Sequence, residues 1–266
     1  MQKINILCIG DIVGSAGRNV LSAHLKDLQR EYNIHYTIAN VENSAGGFGI
    51  SKSIYNEFET LGIDAMTSGN HIFCQKDMLK KFNTVPKLLR PLNFPSNNPG
   101  IGMKVFTYNE HKIGIVNIIG RVFMSQHVLC PFETVMTAIE EIQKSTPIII
   151  VDFHAEVTSE KQAMGAYLAK KVSAIYGTHT HVMTADNKIL ENHTGYITDI
   201  GMTGSENSIL GMEKEAVLYR FLTQMHARFE PSKRPPFMIN GICLTIDTET
   251  GKTLTIKKVL KQYLTL

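Results

Sequence analysis

Tryptophan is absent from this 266-residue chain, and cysteine is scarce: Cys8, Cys74, Cys130 and Cys243 are the only four. They stand far apart with no Cys-x-x-Cys pair. That argues against a disulfide-stapled scaffold or a structural zinc ribbon and suits a reducing compartment. No apolar run approaches the roughly 18 residues needed to cross a bilayer. Residues 1–10 are apolar but run straight into Asp11, as a strand would, so no signal peptide is read there. Charge of one sign is lacking too. The net charge is +3, and basic residues occur only in short doublets such as Lys80-Lys81, Lys170-Lys171 and Lys257-Lys258. No strong nucleic-acid groove is expected from so weak a bias, and no membrane partner. The expectation is a cytoplasmic globular protein.

What is present is a series of apolar runs that end in polar side chains able to ligate metals. Residues 3–10 (KINILCIG) end at Asp11, and residues 35–41 (HYTIANV) at Glu42 and Asn43. Residues 63–69 (IDAMTSG) end at Asn70 and His71, and residues 147–153 (PIIIVDF) at His154. Residues 172–177 lead to His179 and His181 in Gly-Thr-His-Thr-His. Near-continuous apolar runs separated by amphipathic helices predict parallel strands covered on both faces. The carboxyl ends of such strands lie along one edge, where ligands bind. Strand alternation predicts that the imidazoles of His179 and His181 point the same way, and a metal ion is the commonest object to want two neutral imidazoles. Each motif alone has an ordinary structural reading; their convergence on one edge is the argument.

Between the runs, Leu21, Leu25, Leu28 and Tyr32 fall on one helical face, and residues 51–61 give a second helix with Gly62 at its stop. The first seventy residues therefore read β-α-β-α-β. Residues 83–102, with Pro86, Pro91, Pro95, Pro99, Gly100 and Gly102, form a loop-rich excursion. A hairpin follows over 103–108 and 112–119, then helices at 131–144 and 159–171. Short strand-like pieces span 184–198 with a turn at Asp186-Asn187, a helix spans 212–225, and two strands at 240–247 and 253–258 close the chain. No linker splits it, so residues 1–266 are read as one domain. A parallel first half with antiparallel elements later fits an α/β two-sheet αββα sandwich; a single doubly wound sheet is the alternative.

The ordered motifs GDIVGSAGR, NVENSAGG, SGNHIF, VDFHAE, GTHTHV and TDIGMTGS, which together span most of the chain, resemble the calcineurin-like metallophosphoesterases, and in detail the bacterial YmdB-like subgroup. Two positions depart from the wider superfamily. Val13 stands where a histidine ligand is usual, and Ile72 stands where an acidic residue often follows Gly-Asn-His, which leaves His71 without that carboxylate partner. The resemblance implies two metal ions. Asp11, Glu42, Asn43 and His181 would hold the first; Glu42, Asn70, His154 and His179 would hold the second, with Glu42 bridging. It favours iron, while the mixed carboxylate, amide and imidazole set also suits manganese or zinc.

The implied activity is a metal-dependent phosphodiesterase acting on a small nucleotide phosphoester. The expected reaction takes 2′,3′-cyclic nucleotides to 3′-nucleotides through a metal-activated hydroxide, with His71 as general acid. A homo-oligomer is expected from the same resemblance. The alternatives are a broader phosphomonoesterase or nuclease, and a non-catalytic metal- or nucleotide-binding regulator. Gly10–Gly17 (GDIVGSAG) lacks the G-x-G-x-x-G spacing of a dinucleotide site. Three features stay open as pocket elements: Arg121, His127 and the glycine-rich loop Gly46–Gly49. Cys74, three residues beyond His71, is near enough to neighbour the site, although an incidental thiol is the ordinary reading.

Overall fold

A computed structural model describes residues 2–265. The chain begins with β1 (Lys3–Ile9), β2 (Asp11–Ile12), α1 (Gly14–Glu31), β3 (Tyr36–Asn40), α2 (Lys52–Leu61) and β4 (Ala65–Thr67), the order expected of the first seventy residues. A short helix, α3 (Lys76–Leu79), precedes the hairpin β5 (Met103–Tyr108) and β6 (His111–Ile119). Then come α4 (Pro131–Gln143), β7 (Ile149–His154), α5 (Thr158–Leu168) and β8 (Ala174–Thr178). The chain closes with β9 (Lys188–Leu190), β10 (Thr194–Ile197), β11 (Met202–Ser205), α6 (Lys214–Thr223), β12 (Phe237–Asp247) and β13 (Thr253–Tyr263).

Local signals set the helix ends. The Ser51 hydroxyl accepts from the Ile54 N–H at 3.3 Å and starts α2, while Gly62 at φ 94° ends it in the left-handed conformation that glycine adopts without steric cost. In α1 the stripe of Leu21, Leu25 and Leu28 is fully buried.

The strands form two sheets, which rules out the single doubly wound alternative. One runs β2-β11-β12-β1-β3-β4, with β13 also on β12; the other runs β5-β6-β7-β8-β10-β9. In the second, β6, β7, β8 and β10 are parallel, and β5 and β9 join antiparallel at the two edges. Alternation within each strand divides its side chains between two cores. Ile4, Ile6 and Cys8 of β1 enter the layer between the sheets with Ile115, Ile150, Tyr176 and Leu244, whereas Leu7 and Ile9 pack under α1 and α2. Val116, Val151 and Phe153 of the second sheet pack under α4 and α5. The result is the αββα sandwich, and strands buried on both faces account for the near-continuous apolar runs.

One local expectation changes and another gains detail. The turn of the β9–β10 hairpin is Glu191-Asn192, both with positive φ (49° and 54°), rather than Asp186-Asn187. Asp186 instead accepts from the Thr184 hydroxyl and from the Thr198 backbone and hydroxyl, pinning two loop segments together. The proline-rich stretch is the loop-rich excursion expected, and it is tied to both sheets. The Met66 N–H donates to Lys87 O and the Leu89 N–H to Met66 O, both at 2.8 Å, and the Leu92 N–H donates to Asn117 O, so it seals the edges of both sheets.

Gly177 in β8 has no room for a side chain: an added Cβ would lie 1.8 Å from Thr198 O. Gly177→Ala is expected to cost about 3 kcal/mol in a urea unfolding experiment, the upper range for overpacking. A midpoint equal to the parent's would contradict this packing.

Candidate metal centre

The second sheet brings His154, at the end of β7, and His179, just beyond β8, to the same edge as Glu42 and Asn70, which follow β3 and β4. The His154 Nε2 atom lies 3.0 Å from Glu42 Oε1, 3.0 Å from Asn70 Oδ1 and 3.1 Å from His179 Nδ1. Glu42, His154 and His179 form a compact group with the geometry to hold a metal ion. Beside it, Asp11 Oδ1 is 4.0 Å from His181 Nε2. Asp11 and Asn43 are buried, and among the described residues neither Asp11 Oδ1 nor Asn43 Oδ1 has a hydrogen-bond partner. Orphaned buried oxygens are costly, and a cation is the partner that would satisfy them. The donor set therefore fits metal: carboxylate, amide and imidazole atoms with their lone pairs converging on one place.

Each imidazole is oriented by its other nitrogen. His154 Nδ1–H donates to Thr178 Oγ1 at 2.9 Å, and the Thr178 hydroxyl donates to Asp152 at 2.7 Å. His179 Nε2–H donates to Glu156 at 3.1 Å, and His181 Nδ1–H donates to the Leu210 carbonyl at 3.0 Å. These bonds leave His154 Nε2, His179 Nδ1 and His181 Nε2 free as acceptors, which is the arrangement metal-ligating histidines require.

The histidine pair does not converge by strand alternation as expected. The strand ends at Thr178, and His179 and His181 both have left-handed backbone, at φ 98° and 65°. Asp199 holds that conformation, since its carboxylate accepts from the Thr180 N–H (3.2 Å) and hydroxyl (2.8 Å) and is ion-paired at 2.6 Å with the buried Lys161. Strain of this kind persists only where the surroundings fix it.

Several positioning residues escaped the sequence reading. Asn117 of β6 reaches across the sheets, accepting from the Ser68 N–H and donating to Ser68 O, so it clamps the residue before Gly69-Asn70-His71. Asn40 accepts from the Glu42 N–H and donates to Asp152. Both are amides inside apolar strand runs, and that anomaly was the available signal. Gly69 is required because a Cβ there would meet His154 and Glu42 at 2.2–2.4 Å. The glycine-rich loop orients Asn43, whose amide donates to Gly47 O at 3.0 Å.

His71 lines a cavity of about 420 Å³ together with Glu42, Asn43, His179 and His181. Its N–H donates to Glu42 Oε2 at 3.0 Å. Its ring packs edge-on against Phe48 at 4.8 Å, and its Nδ1 lies 3.8 Å from Cys74 Sγ. Arg121 and His127 line a different cavity, of about 740 Å³.

Burial governs the protonation of the cluster. It raises Asp11 well above its ordinary 3.8, helped by the Glu42 charge, and raises Glu42 from 4.5. It depresses His154 and His181 below 6.5, and His179 to about 3 with a contribution from His154. Without metal, the folded carboxylates bind protons that the unfolded chain releases, so stability falls as pH rises from about 4 through their raised values. The folded imidazoles refuse protons that the unfolded chain binds, so stability also falls as pH drops below 6.5. Added Mn²⁺ is therefore expected to raise the thermal midpoint more at pH 8 than at pH 5, because ligation needs ionised carboxylates. Thermal melts with and without the ion check this, and an equal shift at both pH values would contradict it.

The YmdB-like protein family model matches residues 7–259. Over 257 residues, spanning 97% of each chain, the sequence is 42% identical to the 2′,3′-cyclic-nucleotide 2′-phosphodiesterase of Bacillus subtilis. Among solved structures, a novel phosphatase of Mycoplasma pneumoniae superposes with TM-score 0.92 at 34% identity, covering 98% of this chain and 94% of that one. A hypothetical protein of Thermus thermophilus gives TM-score 0.89 at 33% identity, covering 98% and 100%. With motifs, fold and near-complete coverage in agreement, the chain belongs to the YmdB-like protein family.

Proposed function

We propose that this chain hydrolyses 2′,3′-cyclic nucleotides to 3′-nucleotides at a two-metal centre, with His71 protonating the departing 2′ oxygen. The chain is a phosphoester hydrolase, like its relatives named phosphodiesterase and phosphatase. The observation that carries this reading is the pair of unpartnered buried oxygens, Asp11 Oδ1 and Asn43 Oδ1, beside a ready-made Glu42–Asn70–His154–His179 group.

Asp11, Glu42, Asn43 and His181 would hold one ion, and Glu42, Asn70, His154 and His179 the other, with iron favoured over manganese or zinc. When bound, such ions supply charge neutralisation for the phosphoryl oxygens and acidify an attacking water. The chain's own groups do the rest. Thr178, Glu156 and the Leu210 carbonyl keep the three imidazoles in their ligating tautomers. Attack on phosphorus opens the ring by breaking the P–O2′ bond, and His71 Nε2 delivers the proton that converts the 2′ alkoxide to a hydroxyl. Phe48, Phe221, Phe229 and Met212 line the same cavity and offer an apolar wall for a nucleobase.

Two experiments test this. Anaerobic reconstitution is expected to load about two metals per chain, and His154→Ala to lower that count by elemental analysis; fewer than one metal in the parent would overturn the two-metal reading. His71→Ala is expected to keep its metals and lose roughly 10²–10⁴ in turnover of 2′,3′-cyclic AMP. The same variant should lose far less on bis(4-nitrophenyl) phosphate, whose leaving group needs no proton. Equal losses on both substrates would remove His71 from the acid role.

A further inference from the structure

The geometry points to Cys74 as the positioning residue for His71, a thiol serving where a carboxylate would otherwise hold the ring. This inference rests on the reading of His71 as the proton donor. The contact is produced by the backbone. The Cys74 N–H donates to His71 O at 2.9 Å, closing a turn that folds the thiol back over the imidazole, 3.8 Å from Nδ1. That turn is itself fastened to the glycine-rich loop. The Gln75 amide donates to Phe48 O at 2.6 Å and to Ala45 O at 3.3 Å. Gly49 sits so close beneath it that a Cβ there would lie 3.1 Å from His71 O.

His71 is thus held in three ways. Its N–H donates to Glu42, its ring packs against the Phe48 edge, and its Nδ1 faces Cys74. Of these, the thiol is the polar side-chain contact to a ring nitrogen, and it favours Nε2 as the nitrogen presented to substrate. With Nδ1 occupied, Nε2 is the atom left to give the proton. A thiol sulfur is a weak acceptor, so it fixes the ring without binding the proton as tightly as a carboxylate would. Cys74 is also the most accessible of the four thiols: Cys8 and Cys243 are buried and Cys130 is half-buried.

The test compares Cys74→Ala, Cys74→Ser and His71→Ala in the metal-loaded enzyme, on 2′,3′-cyclic AMP and on bis(4-nitrophenyl) phosphate. Cys74→Ala is expected to lower kcat on the cyclic nucleotide about 10- to 100-fold, up to the loss that a 1 Å misplacement brings. KM and metal content should hold, and the aryl diester should be affected less than twofold. Cys74→Ser should recover only part of that loss, because its shorter C–O bond draws the hydroxyl back from Nδ1. A double variant combining Cys74→Ala with His71→Ala should be no slower than His71→Ala, because the thiol acts through the ring. A Cys74→Ala enzyme with unchanged kcat beside an impaired His71→Ala would overturn the role of Cys74 alone. Equal losses on both substrates, or loss of metal, would assign Cys74 a merely structural part and overturn the inference. A His71→Ala enzyme as fast as the parent would overturn the acid reading, and this inference with it.

Discussion

One buried carboxylate, Asp152, joins the two sheets at the edge where the chemistry is placed. It accepts from Asn40 of β3 and Thr67 of β4 in the first sheet and from Thr178 of β8 in the second. Burial pushes its pKa up to about 7, against the lowering effect of those three donors. Leaving any of the donors unpaired at this depth would cost about 1–3 kcal/mol, so the sheets are held in one register relative to each other. The same network fixes Glu42 through Asn40 and His154 through Thr178. The seam that locks the sandwich therefore also aims Glu42 and His154 of the candidate centre.

The remainder of the site follows a similar logic of buried groups with a single acceptable arrangement. Asp199 and Lys161 form an ion pair that is almost fully buried, and the carboxylate also accepts from the Gly201 N–H and from Thr180, between the two histidines. That clamp makes tolerable the left-handed backbone at His179 and His181, which no β-sheet would permit. Asn117 does for Asn70 and His71 what Asp199 does for the histidine pair, by holding the preceding backbone on both its donor and its acceptor. The geometry of the candidate centre is set by the residues packed behind it, as it is in metal sites generally.

Electrostatically the centre is prepared for cations. Its imidazoles are kept neutral by burial, and its carboxylates are under strain when ionised and alone. The apolar side of the cavity, with Phe48, Phe221 and Phe229, sits directly against this polar floor. Such a division suits a molecule with an anionic end and a flat apolar end.

The long strands, the helices between them and the polar residues at the strand ends were legible in the order of amino acids, whereas the short β2, α3 and β11 were not. Period and burial are local properties that a run such as KINILCIG carries on its own. The choice of Asp11, Glu42, Asn43, Asn70, His71, His154, His179 and His181 as candidates was legible for the same reason, since each follows an apolar run whose end was visible. What lay beyond it were contacts between residues far apart in the chain: Asn117 with Ser68, Asp152 with Asn40 and Thr67, Asp199 with Thr180. An amide or carboxylate inside a strand announces only that it needs a partner; the identity of that partner depends on which strands the sheets set side by side. The division into two sheets, the left-handed turn that aims the histidine pair and the thiol against His71 emerged with the folded arrangement, because only there do buried polar groups find the partners that make their burial tolerable.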